Sequence, residues 1–181
     1  MLQQQALTGS WDADPVHSSV GFGVRHMGVS TFRASFHEVD ARLTTDGSGL
    51  ELEGAARVDS ISITAPPELR EHVVRGDDFF EGDRHPEISF RSHEVRLRED
   101  GEVLVLGLLT VKGISRPIAA SGTYQLPVVD PFGATRAAME LHAVIDRREW
   151  GMGWQMALPQ GGEALGWEIE LLAHLELVKQ E

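Results

Sequence analysis

The sequence predicts an all-β protein built as one antiparallel β domain with one or two short helices. Three observations carry that prediction. Apolar and polar residues alternate with period two through most of the chain, turn-forming clusters of Gly, Asp and Pro separate the alternating runs, and one segment has the marks of a helix. Alternation is what a half-buried strand requires, because successive side chains point to opposite faces of a sheet.

Near the N-terminus, Val20, Phe22 and Val24 share one face while Ser19, Gly21, Gly23 and Arg25 share the other. Phe32, Ala34 and Phe36 then alternate with Arg33 and Ser35, and Ile61–Ser62–Ile63 and Ile88–Ser89–Phe90 are shorter instances. Val103 to Val111 (VLVLGLLTV) is apolar on both faces, which predicts a strand covered on both sides by a helix or a partner chain. Two C-terminal strands are the clearest. Ala137, Met139, Leu141, Ala143 and Ile145 form the apolar face of one, and Trp167, Ile169, Leu171, Ala173, Leu175 and Leu177 that of the other. Their opposite faces carry Glu140, His142, Glu168, Glu170, His174 and Glu176.

Turn chemistry separates these runs. Thr45–Asp46–Gly47–Ser48–Gly49 and Glu99–Asp100–Gly101–Glu102 read as hairpin connections, Asp130–Pro131–Phe132–Gly133 as a four-residue turn, and Pro159–Gln160–Gly161–Gly162 as a loop. The helix begins after Pro66, where Pro67 and Glu68 suit a first turn and Leu69, His72 and Val73 form an apolar stripe. Trp150 to Leu158 is apolar but broken by glycine, so an irregular or one-turn helical element is expected there. No linker or charge block divides the 181 residues, a length able to support its own core.

Composition narrows the function classes. With 16 Lys and Arg against 28 Asp and Glu, the formal charge of -12 repels phosphate backbones, and no nucleic-acid partner is expected. There is no cysteine, so disulfides, thiolate metal sites and cysteine nucleophiles are excluded. The first residues lack a basic and an apolar signal region, and no apolar stretch reaches the roughly 18 residues of a membrane span. The expected compartment is the cytoplasm, with a secreted or periplasmic home as the alternative for a processed N-terminus.

The residues that carry chemistry are few. The eight histidines (His17, His26, His37, His72, His85, His93, His142 and His174) form no compact ligand set, so no metal and no cofactor are expected. No Gly-x-Ser-x-Gly elbow occurs, and no catalytic residue is assigned. Gly21-x-Gly23 lies inside a strand pattern, where glycine relieves crowding rather than cradling phosphate. Asp77 and Asp78 read as the solvated exit of the helix, whereas Phe79 and Phe80, adjacent rings outside a regular strand, read as a plug that closes one end of a core or cavity. His26 continues the buried parity of Val20, Phe22 and Val24. It is either a core histidine bonded to backbone or a group at a cavity mouth that bonds a ligand's polar head. Trp150, Met152, Trp154 and Met156 are either plain core or the lining of an adaptable apolar pocket.

Five segments together resemble the YceI-like family, bacterial lipocalin-like proteins regarded as binders of polyisoprenoids and other long-chain lipids. They are HSSVGFGVRHMGVSTFRASF (His17–Phe36), LREHVVRGDDFFEGDRHPEISFRS (Leu69–Ser92), LLTVKGISRPI (Leu108–Ile118), FGATRAAMELHAVIDRREWGM (Phe132–Met152) and the terminal strand Trp167–Leu177. Gly9–Ser10–Trp11 is also similar to the Gly-x-Trp of true lipocalins. HEVDARL after Phe36 and the WGMGWQ stretch depart from the family's usual wording.

The resemblance implies an eight-stranded antiparallel lipocalin-like barrel over residues 11–181, after a tail of residues 1–10, and a homodimer. It also implies a non-enzymatic protein that holds a polyisoprenoid, fatty acid or fatty amide in its lumen as carrier, store or sensor. The residues expected to line that lumen are Val20, Phe22, Val24, Phe32, Phe36, Phe90, Met139, Leu141 and Ile145. Phe79, Phe80, Trp150, Trp154 and Met156 would line or cap an end, and His26 would meet the head group. The alternatives are an enzyme acting on an apolar substrate, using His26 with Asp146 or Glu149, and a structural or stress-related barrel filled by its own side chains.

Overall fold

The computed structural model describes residues 7–45 and 49–181, so the centre of the first expected hairpin, residues 46–48, lies outside the described residues. Ten strand segments form one antiparallel sheet: β1 (Gly9–Ala13), β2 (Ser19–His26), β3 (Ser30–Phe36), β4 (Val39–Thr45), β5 (Leu50–Arg57), β6 (Glu87–Leu97), β7 (Glu102–Val111), β8 (Ile114–Val129), β9 (Thr135–Asp146) and β10 (Leu165–Lys179). β10 organises the closure. Along one edge it pairs with β9. Its other edge is shared between β2, which pairs within Leu165–His174, and β1, which pairs at Leu177–Lys179. β3 pairs with β2 and β4 with β1, so β1/β2 and β3/β4 are two interrupted courses rather than four. Counted by course, this is an eight-stranded antiparallel barrel, closed where β1 meets β10.

Interruption gives the barrel two different ends. Where β1 and β4 complete the ring, the interior is solid. Trp11, Leu43 and Leu177 are fully buried there, and Leu7, Leu50, Val103, Val105, Tyr124 and Met139 pack with them. The Trp11 indole N–H donates to the Leu7 carbonyl at 3.3 Å, and the Tyr124 hydroxyl to that of Arg98 at 2.7 Å, so the polar tips of both rings are satisfied.

At the other end β3 diverges from β5 and keeps one bridge, Phe36 to Ile61. The excursion between β5 and β6 fills that gap. It carries a 3-10 turn (Val58–Ser60), the helix α1 (Pro67–Arg75) and the Phe79–Phe80 pair. Ile61–Ser62–Ile63 is therefore not a strand. Its alternation reflects two isoleucines, 4% and 6% exposed, anchored in this second cluster after the chain has left the sheet. α1 starts as expected, with Pro67 in the first turn, and ends where the Gly76 N–H donates to the His72 carbonyl at 2.8 Å. Its buried residues are Val73 and Val74.

Gly21 sits where a side chain has no room, since a Cβ there would lie 2.7 Å from the Ala34 carbonyl oxygen. That close approach of β2 and β3 is the crowding the Gly-x-Gly pattern suggested. On β7, Val103, Val105, Leu109 and Val111 are buried inside, while Leu108 on the outer face is 48% exposed. No helix of this chain covers that outer face among the described residues. No helix is long and apolar enough to cross a membrane, again among the described residues.

Candidate functional site: an apolar cavity in one half of the barrel

Above the solid half the barrel is hollow. The cavity holds about 380 Å³, within the range of small-molecule sites. β2 contributes Val20, Phe22, Val24 and His26 to its wall, β3 contributes Phe32 and Phe36, β6 Phe90, and β9 Leu141 and Ile145. α1 and the segment after it add Leu69, His72, Val73, Phe79 and Phe80; the stretch after β9 adds Arg147, Trp150, Met152 and Trp154. The helix stripe read from the sequence thus faces the cavity rather than a solid core.

The rings make a frame. Phe22, Phe36 and Phe80 meet with centroids 6.0–6.4 Å apart, so the second phenylalanine of the pair does plug the interior. Phe79 instead stacks on Trp154 at 5.8 Å and 25°. His72 stands edge-on to Phe79 at 5.0 Å, with its Nε2 2.9 Å from Asp78 Oδ1. Trp150, 2% exposed, is anchored by its indole N–H donating to the Leu109 carbonyl at 3.1 Å. His26 is exposed at the mouth, not a core histidine.

Two of the residues expected to line the cavity lie elsewhere. Met139 is 1% exposed inside the solid half. It has the correct parity on β9 but sits too far along the barrel to reach the hollow. Met156 is 61% exposed, because the chain after Trp154 runs out over the surface.

Sequence reading missed Arg147. It follows β9 in the 3-10 turn Arg147–Trp150 and is only 2% exposed. Its guanidinium donates to four main-chain carbonyls: Nε to Gly166 at 2.9 Å, Nη1 to Met152 at 2.6 Å, and Nη2 to Trp154 at 2.8 Å and Leu165 at 3.3 Å. The indole of Trp167 lies 4.2 Å from its centre. Burial pushes its pKa down, but an arginine stays charged regardless. Its neighbour Arg148 is exposed and engages Asp146, with Nη2 2.5 Å from Oδ2, which holds the Asp146 carboxyl below the usual carboxylate range.

Asp14, His17 and Glu176 lie close enough together to share a cation. That place is taken by the Arg136 guanidinium, whose Nη1 donates to Asp14 at 2.8 Å and to Glu176 at 2.7 Å while its Nε donates to Asp130 at 2.7 Å.

A closed antiparallel barrel, solid at one end and hollow at the other, with aromatic rings framing the hollow, is the architecture of a lipocalin-like protein. The model of the YceI-like domain matches residues 11–177, and the chain belongs to the YceI-like family. A UPF0312 protein of Staphylococcus aureus is 28% identical over 165 residues, covering 90% of this chain and 94% of its own. Among solved structures, Burkholderia cenocepacia BcnA superposes with a TM-score of 0.72 at 17% identity, covering 91% of this chain and 98% of its own. A polyisoprenoid binding domain from Saccharophagus degradans, implicated in plant cell wall breakdown, superposes with a TM-score of 0.68 at 13% identity, covering 94% of this chain and 98% of its own.

Proposed function

We propose that this protein holds a long-chain apolar lipid, of polyisoprenoid, fatty-acid or fatty-amide type, in the hollow half of its barrel, as carrier, store or sensor and without altering it. The observation that carries this reading is the apolar cavity of about 380 Å³ walled by Val20, Phe22, Val24, Phe36, Phe90 and Leu141. Each methylene withdrawn from water there contributes about 0.8 kcal/mol, so a chain of ordinary lipid length needs few polar contacts. The Saccharophagus neighbour, named for polyisoprenoid binding, supports the same class of ligand.

An enzymatic reading needs His26 to work with Asp146 or Glu149. Asp146 is engaged by Arg148 and Glu149 is exposed at the surface, so nothing in this geometry favours it. The uncovered apolar face of β7 is continued on β9 by Val144, 53% exposed, which supports a second copy as its cover and hence a homodimer.

Organic extraction of the purified protein, followed by mass spectrometry, tests the lipid reading. A stoichiometric long-chain lipid is expected, and Phe22→Asp, which places a carboxylate in the cavity wall, should lose it while remaining folded. A lipid-free wild type that also fails to take up long-chain probes would sink the proposal.

A further inference from the structure

Arg147 is a fully charged group at the edge of an apolar cavity, 2% exposed, and it has no carboxylate within 4.0 Å among the described residues. The two nearest acids make their direct bonds to other groups and reach it only through space. Asp146 is bound by Arg148, and the Glu163 carboxylate accepts from the Trp167 indole N–H at 2.8 Å. The direct contacts of the guanidinium are neutral, four carbonyl oxygens and an indole face, while the Asp146 and Glu163 carboxylates act on it from beyond 4.0 Å and are opposed by Arg148. Four of its five N–H groups are accounted for, and one on Nη1 has no acceptor among the described residues. Carbonyl dipoles orient and partly stabilise such a cation, but they leave its net charge in a poorly solvated place.

The geometry points to an acidic head group, and we propose that Arg147 selects long-chain carboxylates over neutral lipids of the same length. The inference rests on the lipid-binding reading above and specifies the chemistry of that ligand. A carboxylate brings one negative charge, which balances one guanidinium, and an oxygen for the remaining N–H. A phosphate monoester brings nearly two charges and would add more negative charge to a place where Asp146 and Glu163 already act. Arg147 is then the residue that makes this lumen selective.

The test compares three ligands of equal chain length on the wild-type protein at neutral pH: hexadecanoic acid, hexadecanol and methyl hexadecanoate, each displacing one fluorescent long-chain probe. In a purely apolar pocket the ionised acid is the weakest of the three, because its charge must leave water. With Arg147 as its partner the acid should bind about tenfold tighter than the alcohol or ester, the scale of one charge-assisted hydrogen bond. Arg147→Gln should abolish that preference, read as the ratio of acid to alcohol affinity in the same variant, because freeing the carbonyls of Met152, Trp154, Leu165 and Gly166 can shift both affinities together; a ratio unchanged from wild type overturns the role of Arg147. Equal or tighter binding of the alcohol by wild type overturns the role of Arg147 while the lipid-binding reading stands. A bound probe that none of the three displaces likewise overturns the role of Arg147 alone, whereas failure of the probe itself to bind overturns both.

Discussion

Met139 and Leu141 lie two residues apart on the same face of β9, yet Met139 is sealed in the solid half of the barrel and Leu141 borders the hollow. The boundary between packed and empty interior therefore falls within one step of a single strand. Met139→Ala should cost about 2–5 kcal/mol of stability, the usual range for truncation in a packed core, with bound lipid per folded molecule unchanged. Leu141→Phe should do the reverse, lowering lipid content through added bulk at the wall. Urea melts beside lipid extraction separate the two, and a drop in lipid content with Met139→Ala would place the boundary wrongly.

Phe79 and Trp154 come from different segments and meet face to face beside the cavity. Such pairs contribute about 0.5–1.5 kcal/mol, which corresponds to roughly a twofold to tenfold effect on a rate they control. Phe79→Ala and Trp154→Ala should each speed release of a fluorescent lipid by about that factor in stopped-flow measurements, and the double variant should be little faster than either. Fully multiplicative effects would mean that the two rings act independently.

Gly107 on β7 leaves the space that the Phe90 ring occupies: a Cβ there would come within 2.5 Å of the ring and 2.4 Å of the Arg91 carbonyl oxygen. Gly107→Ala should displace Phe90 from the cavity wall and cost about 1–3 kcal/mol as an overpacked site. Thermal unfolding together with ligand affinity checks this; an unchanged midpoint would show that the sheet accommodates the methyl.

Arg136 holds Asp14 and Asp130 well below the usual carboxylate range, chiefly by direct hydrogen bonds to each. A depressed folded-state pKa adds stability that is present above the unfolded value of about 4 and is lost as the pH falls through the folded value. Arg136→Ala should therefore lower the melting temperature most at neutral pH, and the deficit should narrow as the pH drops below about 4. A deficit constant across that window would mean that Arg136 acts by packing alone.

The sheet was legible because period two survives folding: every long alternating run became a strand, and the helix began at the proline that marked it. Height along the barrel was not, since parity separates inside from outside but cannot tell a solid level from a hollow one, hence the misplacement of Met139. Alternation was also too short a signal at Ile61–Ile63, where two apolar anchors in a loop imitate a strand. Arg147 was hidden for a different reason. Beside Arg148 it reads as one of two surface charges in a turn, and only the carbonyls of Met152, Trp154, Leu165 and Gly166, distant from it in sequence or supplied by an irregular loop, create the cup that buries it.

The split courses β1/β2 and β3/β4 divide the barrel into a packed end and a hollow one. Trp11, Leu43 and Met139 pack inside the closed ring and take no part in the cavity wall. The interior surface that fixes the closure is thus separate from the one that bounds the hollow, so a substitution in either can act without repacking the other.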